Sequence, residues 1–206
     1  METLIKARQV ANYVRLKWQI PRRKRSAFAL GPVSENIAAI LVDAIFQAGL
    51  NYRNVVFPRV CAVASSFPRM NSLGALEAVL STETFISALS WNHPEKPQRL
   101  RSLISFFRSR GLDTISHIRE WLCNSHNREQ LLTLRGIGHK TVDYLSRLVG
   151  LATIAVDRHA HRLLKEVGIV SHRYEEAKRI LEFAADLLRM NRAAFDHMMW
   201  ETLSTS

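Results

Sequence analysis

The sequence has few cysteines and no long apolar run, and both absences narrow the classes of protein that it can encode. Only Cys61 and Cys123 occur among 206 residues, too few for a disulfide framework, a four-cysteine zinc site or an iron–sulfur cluster held by this chain alone. No stretch approaches the roughly 20 apolar residues of a membrane-spanning helix, and no secretion signal precedes the first helical pattern. We therefore expect an intracellular protein with reduced thiols and no membrane partner.

Acidic residues are also scarce relative to basic ones. The chain has 29 Lys and Arg residues against 18 Asp and Glu residues, which gives a net charge of +11. This balance favours a polyanionic partner, because clusters of Lys and Arg gain affinity by releasing counterions from phosphate groups. Nucleic acid is the partner that we expect, although ribosomal proteins and membrane-surface binders share a basic composition.

The first thirty residues form a concentrated basic block. A DNA-facing arm and a solvated tail both fit it, and residues 22–25 also fit a nuclear-import signal. We predict that this arm, over 1–30, contributes to the second lobe of a domain over 31–206, with lobes at about 34–148 and 150–206. The basic residues of the block, opposed only by Glu2, are Lys6, Arg8, Arg15, Lys17, Arg22, Arg23, Lys24 and Arg25.

Apolar residues recur at helical spacing along most of the chain. Ser34 is predicted to cap a helix that ends near Gly49, and no period-two strand pattern is convincing. The predicted fold class is therefore all-α, with two helical lobes and a ligand cleft between them. Further helices are predicted at about 53–66, 72–80, 83–90, 95–110, 114–123, 128–134, 139–149, 157–167, 173–190 and 193–203.

Two glycines, one residue apart, separate two helical patterns in the segment LLTLRGIGHKT, residues 131–141. The pattern predicts a helix-hairpin-helix at about 128–149. Glycine permits a positive φ and lets phosphate oxygens approach the N–H groups that open the second helix. Such contacts position DNA without reading its sequence, and many polymerases, ligases and recombination proteins use them.

Lys140 stands at the start of the second hairpin helix, where the positive end of the helix dipole disfavours an ammonium group. A neutral amine there can attack the anomeric carbon of a sugar, expel the base and leave a Schiff base. The alternative is a lysine that only pairs with a phosphate.

Downstream, the apolar run 153–156 ends at Asp157, which is predicted to cap the next helix. Its carboxylate can stabilise a cationic sugar transition state or accept a proton, while simple capping is the alternative role.

The segments LRGIGHKT (134–141) and IAVDRH (154–159) together resemble the helix-hairpin-helix-GPD DNA glycosylases, and endonuclease III in particular. The likeness extends over roughly 34–204. It implies that Lys140 is the Schiff-base nucleophile, that Asp157 is the assisting carboxylate, and that Gln47 fills the gap left by a flipped nucleotide. Gln47 is otherwise an ordinary polar residue at a helix end. The residues implied to contact DNA, besides Gln47, are Arg135, Gly136, Gly138, His139 and Thr141.

The resemblance implies a monomeric base-excision repair enzyme with glycosylase and AP lyase activities, acting on oxidised pyrimidines in damaged double-stranded DNA. Such a protein would be DNA-associated, in the cytoplasm and nucleoid or in a nucleus. Residues 157–159 also resemble archaeal 8-oxoguanine glycosylases, which leaves that base as an alternative. A glycosylase that uses water and a non-catalytic helix-hairpin-helix DNA-binding protein are further alternatives.

The sequence departs from endonuclease III at several points. Arg135 replaces a proline before Gly136, the interval from Lys140 to Asp157 is one residue shorter, and the loop after Gly150 lacks the usual proline. The C-terminal cysteine quartet has no counterpart, so we expect no iron–sulfur cluster and no required cofactor. The resemblance also implies that main-chain carbonyls near Leu132, Leu134 and Ile137 can hold Na⁺ or K⁺ at the hairpin. The histidines lack the clustering of a zinc site.

Overall fold

The computed structural model describes residues 1–18 and 35–204, and every regular element in these ranges is helical. The all-α class predicted from the sequence is therefore confirmed. None of the helices in these ranges is long and apolar enough to cross a membrane. The α-helices of the described ranges are α1 (Glu2–Lys17), α2 (Ile37–Phe46), α3 (Phe57–Ser66), α4 (Leu73–Val79), α5 (Glu83–Leu89), α6 (Glu95–Arg108), α7 (Ile115–Cys123), α8 (Ser125–Leu131), α9 (His139–Leu148), α10 (Arg158–Glu166), α11 (Tyr174–Leu187) and α12 (Arg192–Ser204); a π-helical turn, Tyr52–Val56, leads into α3.

The described residues divide into two compact units. Residues 35–151 form the central unit, which contains α2 to α9. Residues 1–18 and 152–204 form the terminal unit, which contains α1 and α10 to α12. Each unit encloses its own cluster of buried apolar side chains.

Helix α1 belongs to the core of the terminal unit. Its buried residues Ala7, Val10, Ala11 and Val14 follow helical spacing and form one apolar face, which packs on α11. Lys6 Nζ donates to Glu176 Oε1 over 2.8 Å on that side. Residues 2–17 are thus a packed helix rather than an extended arm or tail, while the basic run 22–25 lies outside the described residues.

Helix α2 is the central helix of the central unit, and all ten of its residues are buried. Burial on every side is typical of a helix in a core position, and α3, α4, α6 and α9 pack around it. Its N-cap is Asn36, whose Oδ1 accepts from Ala39 N over 3.0 Å. The predicted cap, Ser34, was wrong in position, because the helix begins at Ile37 and Asn36 supplies the acceptor.

The first hairpin helix, α8, begins three residues before the predicted start at 128. Asn124 caps it by accepting from His126 N over 2.9 Å, and the polar residues that follow carry too little apolar periodicity to reveal this start. Helix α9 occupies His139–Leu148, close to the predicted range.

Candidate functional site

Gly136 forms the tight turn of the hairpin between α8 and α9. Its φ is +80°, a left-handed conformation that glycine adopts without steric cost. A Cβ at this position would also collide with the guanidinium group of Arg99, which projects from α6. The left-handed backbone therefore favours glycine here, and any larger residue would also have to displace the flexible end of the Arg99 side chain.

The N-terminus of α9 is open to a ligand. Gly138 is the N-cap residue, no side chain caps the helix, and a Cβ on Gly138 would meet no atom within 4 Å. Helix geometry provides no internal acceptor for the N–H groups of a first turn, where the helix dipole favours an anion. Arg135 and His139 flank this end and are exposed. The side chain of Thr141 is buried, so its main-chain N–H is the group that it offers to a phosphate.

Lys140 is the second residue of α9 and is half-buried. Another lysine, Lys96 of α6, lies close enough for the charge of Lys140 to act on it. Burial, the charge of Arg99 and the charge of Lys140 together lower the pKa of Lys96 to about 8, against an opposing effect of Glu95. The lysine in the first turn of α9 therefore lies within electrostatic range of Lys96.

Lys96 is buried, with 7% of its surface exposed. Its Nζ donates to the carbonyl oxygen of Ile45 over 2.8 Å and to that of Ala48 over 2.7 Å. These carbonyls lie at the C-terminal end of α2, on either side of Gln47. The ammonium group thus satisfies acceptors that the end of a helix leaves without an internal donor.

Gln47 is the C-cap residue of α2 and is buried, with 7% of its surface exposed. Its Nε2 donates to the carbonyl oxygen of Ala44 over 3.4 Å. Insertion of this side chain into a DNA duplex would require it to leave this position. The surrounding backbone is held by the Lys96 contacts and by the bond from Gln47 N to the Asp43 carbonyl, 3.0 Å.

A buried carboxyl group lies one turn before Gln47. Asp43 accepts hydrogen bonds from Tyr52 OH and from Tyr144 OH, each over 3.0 Å. Burial raises the pKa of Asp43 to about 6, while both tyrosines and the charge of Arg147 oppose the rise. Tyr144 follows Lys140 by four residues on α9, so this cluster connects the helix of Lys140 with the helix of Gln47.

The carbonyls implied as cation ligands lie between α8 and α9. The carbonyl oxygen of Leu134 accepts from Ile137 N over 3.0 Å, which closes one turn of the hairpin. Across residues 1–18 and 35–204, no group of three or more His, Cys, Asp or Glu side chains is arranged to hold a metal ion.

In the terminal unit, Asp157 is the N-cap of α10. One carboxylate oxygen, Oδ1, accepts from His159 N over 2.8 Å and from Ala160 N over 3.1 Å. The segment that precedes Asp157 is held by two side chains. Asp196 Oδ1 accepts from Ala155 N over 3.1 Å, and Tyr174 OH accepts from Val156 N. The other oxygen of the half-buried carboxylate makes neither capping bond.

The central unit brings together the hairpin, Lys140 and the end of α2 that carries Gln47, whereas Asp157 belongs to the terminal unit. The sequence analysis missed two residues of α6. Lys96 contacts the segment of Gln47, and Arg99 packs against the hairpin turn. It also missed the Asp43 cluster. No local motif marks these residues, since Lys96 contacts carbonyls 48 and 51 positions away along the chain.

No family model matches the chain, and no curated protein matches it. A solved structure shares its fold: the 3-methyladenine DNA glycosylase of H. pylori (MagIII) bound to 1,N6-ethenoadenine. The two align with a TM-score of 0.55 and 15% sequence identity over 100% of this chain and 98% of that chain. The likeness establishes that this chain has the fold of a DNA glycosylase structure.

Proposed function

We propose that the protein is a base-excision DNA glycosylase that also cleaves the strand as an AP lyase. The observation that carries the proposal is Lys140, which lies in the first turn of the second hairpin helix, at an N-terminus that no side chain caps and within electrostatic range of Lys96. The fold that the chain shares with a DNA glycosylase also supports the proposed glycosylase function.

In the proposed first step the hairpin holds the DNA backbone. The N–H groups at the start of α9 bind a phosphate, and Arg135 and His139 lie exposed beside them. A damaged base then leaves the stack, at a cost of a few kcal/mol that is smallest for a lesion. Gln47 takes the vacated place in the duplex in this proposal. Na⁺ or K⁺ at the hairpin carbonyls would add a bridge to the phosphate but is not required.

The chemistry then proceeds through the neutral amine of Lys140. The Nζ lone pair forms a bond to C1′ of the deoxyribose, the C1′–N glycosidic bond breaks, and the base leaves with the electron pair and takes up a proton. Loss of a proton from Nζ and opening of the sugar ring give the Schiff base. Removal of a C2′ proton then breaks the C3′–O bond, which cuts the strand on the 3′ side.

Asp157 is proposed to stabilise the positive charge that develops on the sugar and to accept a proton from Nζ. Its Oδ1 is used in capping α10, and its remaining lone pairs serve this role.

Three substrate classes follow from different observations. The likeness of residues 134–141 and 154–159 to endonuclease III favours oxidised pyrimidines, with 8-oxoguanine as the alternative from residues 157–159. The structural neighbour, named for 3-methyladenine and bound to 1,N6-ethenoadenine, favours alkylated adenines instead. We propose oxidised pyrimidines as the first class to test and alkylated adenines as the second.

The test is a panel of end-labelled duplexes carrying thymine glycol, 8-oxoguanine, 1,N6-ethenoadenine, uracil or an abasic site. Base release and strand cleavage are measured separately, with and without alkali. We expect base release from one lesion class and strand cleavage without alkali. Base release alone would indicate a water-using glycosylase, and DNA binding with neither reaction would indicate a non-catalytic DNA-binding module.

A further inference from the structure

The first turns of α6 contact two functional segments of the central unit. Lys96 Nζ binds the carbonyl oxygens of Ile45 and Ala48, on either side of Gln47, over 2.8 and 2.7 Å. Arg99, one turn later, packs against Gly136 in the hairpin turn and pairs with Glu95. A single helix end therefore supports both the Gln47 segment and the turn that leads into Lys140.

A buried lysine is a costly way to cap a helix. Desolvation disfavours the ammonium form, and lowering of the pKa of Lys96 to about 8 reflects that cost. A solvent-exposed lysine or a glycine at the helix end would satisfy the same carbonyls with less desolvation. The charge of Lys96 is thus held in a buried position, where its effect on neighbouring charged groups is screened less than at the surface.

The charged groups that act on Lys96 come from two helices. Arg99 and Glu95 lie on α6 itself, and Lys140 lies on α9; the contacts from α2 are the two main-chain carbonyls. The interaction between Lys96 and Lys140 is reciprocal, because two ammonium groups repel each other and each one therefore disfavours protonation of the other amine. Each ammonium group thus favours the neutral form of its partner.

We propose that Lys96 is a positioning residue of this site: its two hydrogen bonds fix the backbone on both sides of Gln47, and its ammonium group, within electrostatic range of Lys140, favours the neutral amine that attacks the sugar. The inference rests on the proposed glycosylase function for its catalytic meaning. The electrostatic coupling of the two lysines is measurable without any reaction.

The test measures the coupling by NMR in the full-length protein. The chain has seven lysines, so the titration of each ¹³C-labelled ε-carbon can be followed and assigned with single variants. We expect Lys96→Met to raise the pKa of Lys140, and Lys140→Gln to raise the pKa of Lys96 above about 8. The second variant changes a half-buried residue and leaves the Lys96 contacts with α2 intact, so the test stands even where Lys96→Met does not fold.

The activity readout is the rate of borohydride-trapped adduct formation on an abasic duplex from pH 6 to 10. We expect Lys96→Met to lose roughly three- to tenfold at pH 7 and to approach the wild-type rate toward pH 10, where Lys96 of the wild type is itself uncharged and no longer acts on Lys140. Lys96→Arg keeps the charge and should match the wild-type rate at pH 7, where Lys96 is also charged. Lys165→Met, which removes an exposed lysine of α10, is the matched control and should behave as the wild type.

The proposal is overturned if neither NMR titration shifts, or if Lys96→Met lowers the rate by one factor at every pH. Lys96 would then be a structural cap of α2 alone. A wild-type protein that releases no base and forms no adduct would overturn the proposed function instead. The NMR titrations would still decide whether the two lysines are coupled.

Discussion

Asp43 shows at the scale of a single residue how burial sets the pH dependence of the fold. Its pKa is raised to about 6 by burial, although Tyr52 and Tyr144 both donate to the carboxylate. An acid with a raised native pKa binds more protons in the folded than in the unfolded state between pH 4 and 6. Its ionisation therefore makes the protein less stable as the pH rises through that window.

Replacing Asp43 by Asn should remove this penalty. Relative to the wild type, we expect Asp43→Asn to gain up to about 3 kcal/mol in unfolding free energy between pH 4 and pH 7, since one pKa unit corresponds to about 1.4 kcal/mol. Urea denaturation at both pH values measures the change. An identical stability difference at pH 4 and pH 7 would show that Asp43 does not titrate in this window.

At the scale of elements, the hairpin depends on Gly136 in two separable ways. Gly136→Ala places a Cβ against Arg99 and strains a φ of +80°, so we expect a loss of about 1–3 kcal/mol in stability together with weaker DNA binding. Gly138→Ala is the matched control, because its Cβ meets open space at a φ of −109°. It should change stability by less than about 1 kcal/mol. Equal costs at the two positions would contradict the preference for glycine at the left-handed turn of Gly136.

Substitutions of Asp157, the N-cap residue of α10, can distinguish a structural from a chemical role for its carboxylate. Asparagine is as good an N-cap as aspartate, so Asp157→Asn should keep the melting temperature close to that of the wild type while base release falls at least about a hundredfold. Asp157→Ala should in addition lose about 1 kcal/mol of stability. Thermal unfolding and single-turnover base release are the measurements. Unchanged base release in Asp157→Asn would limit this residue to capping.

The helices and the hairpin were predictable because their signals are local. Apolar residues recur at helical spacing, and the glycines mark the turn. The helical nature of residues 2–17 was missed, because basic side chains on one face obscured the apolar face of Ala7, Val10, Ala11 and Val14. The support of Gln47 by Lys96 was not predictable, because it depends on residues about fifty positions apart.

At the scale of the whole molecule, α1 from the first residues of the chain completes the core of the terminal unit, whose other helices, α10 to α12, come more than 130 residues later. Its apolar face packs on α11, and Tyr13 OH donates to Glu166 over 2.9 Å. Deletion of residues 1–18 should therefore lower the melting temperature by more than 5 °C, on the order expected for losing several kcal/mol of burial. An unchanged melting temperature would contradict the role of α1 in this core.

The exposed basic residues of α1 allow a test of the DNA-facing role that the sequence suggested. Replacing Arg8 and Lys17 by Gln leaves the buried face intact, so stability should not change. If this face contacts phosphates, the slope of log K against log salt should fall by about two. An unaltered slope would assign no phosphate contact to these two residues.

The central claim is that Lys140 is the nucleophile, and borohydride trapping on a lesion-bearing or abasic duplex tests it most directly. The wild type and Lys165→Ala should give the same covalent protein–DNA adduct, because reduction fixes a Schiff base at Nζ of Lys140. Lys140→Ala should bind the duplex and give no adduct. An adduct formed by Lys140→Ala in wild-type yield would contradict the account.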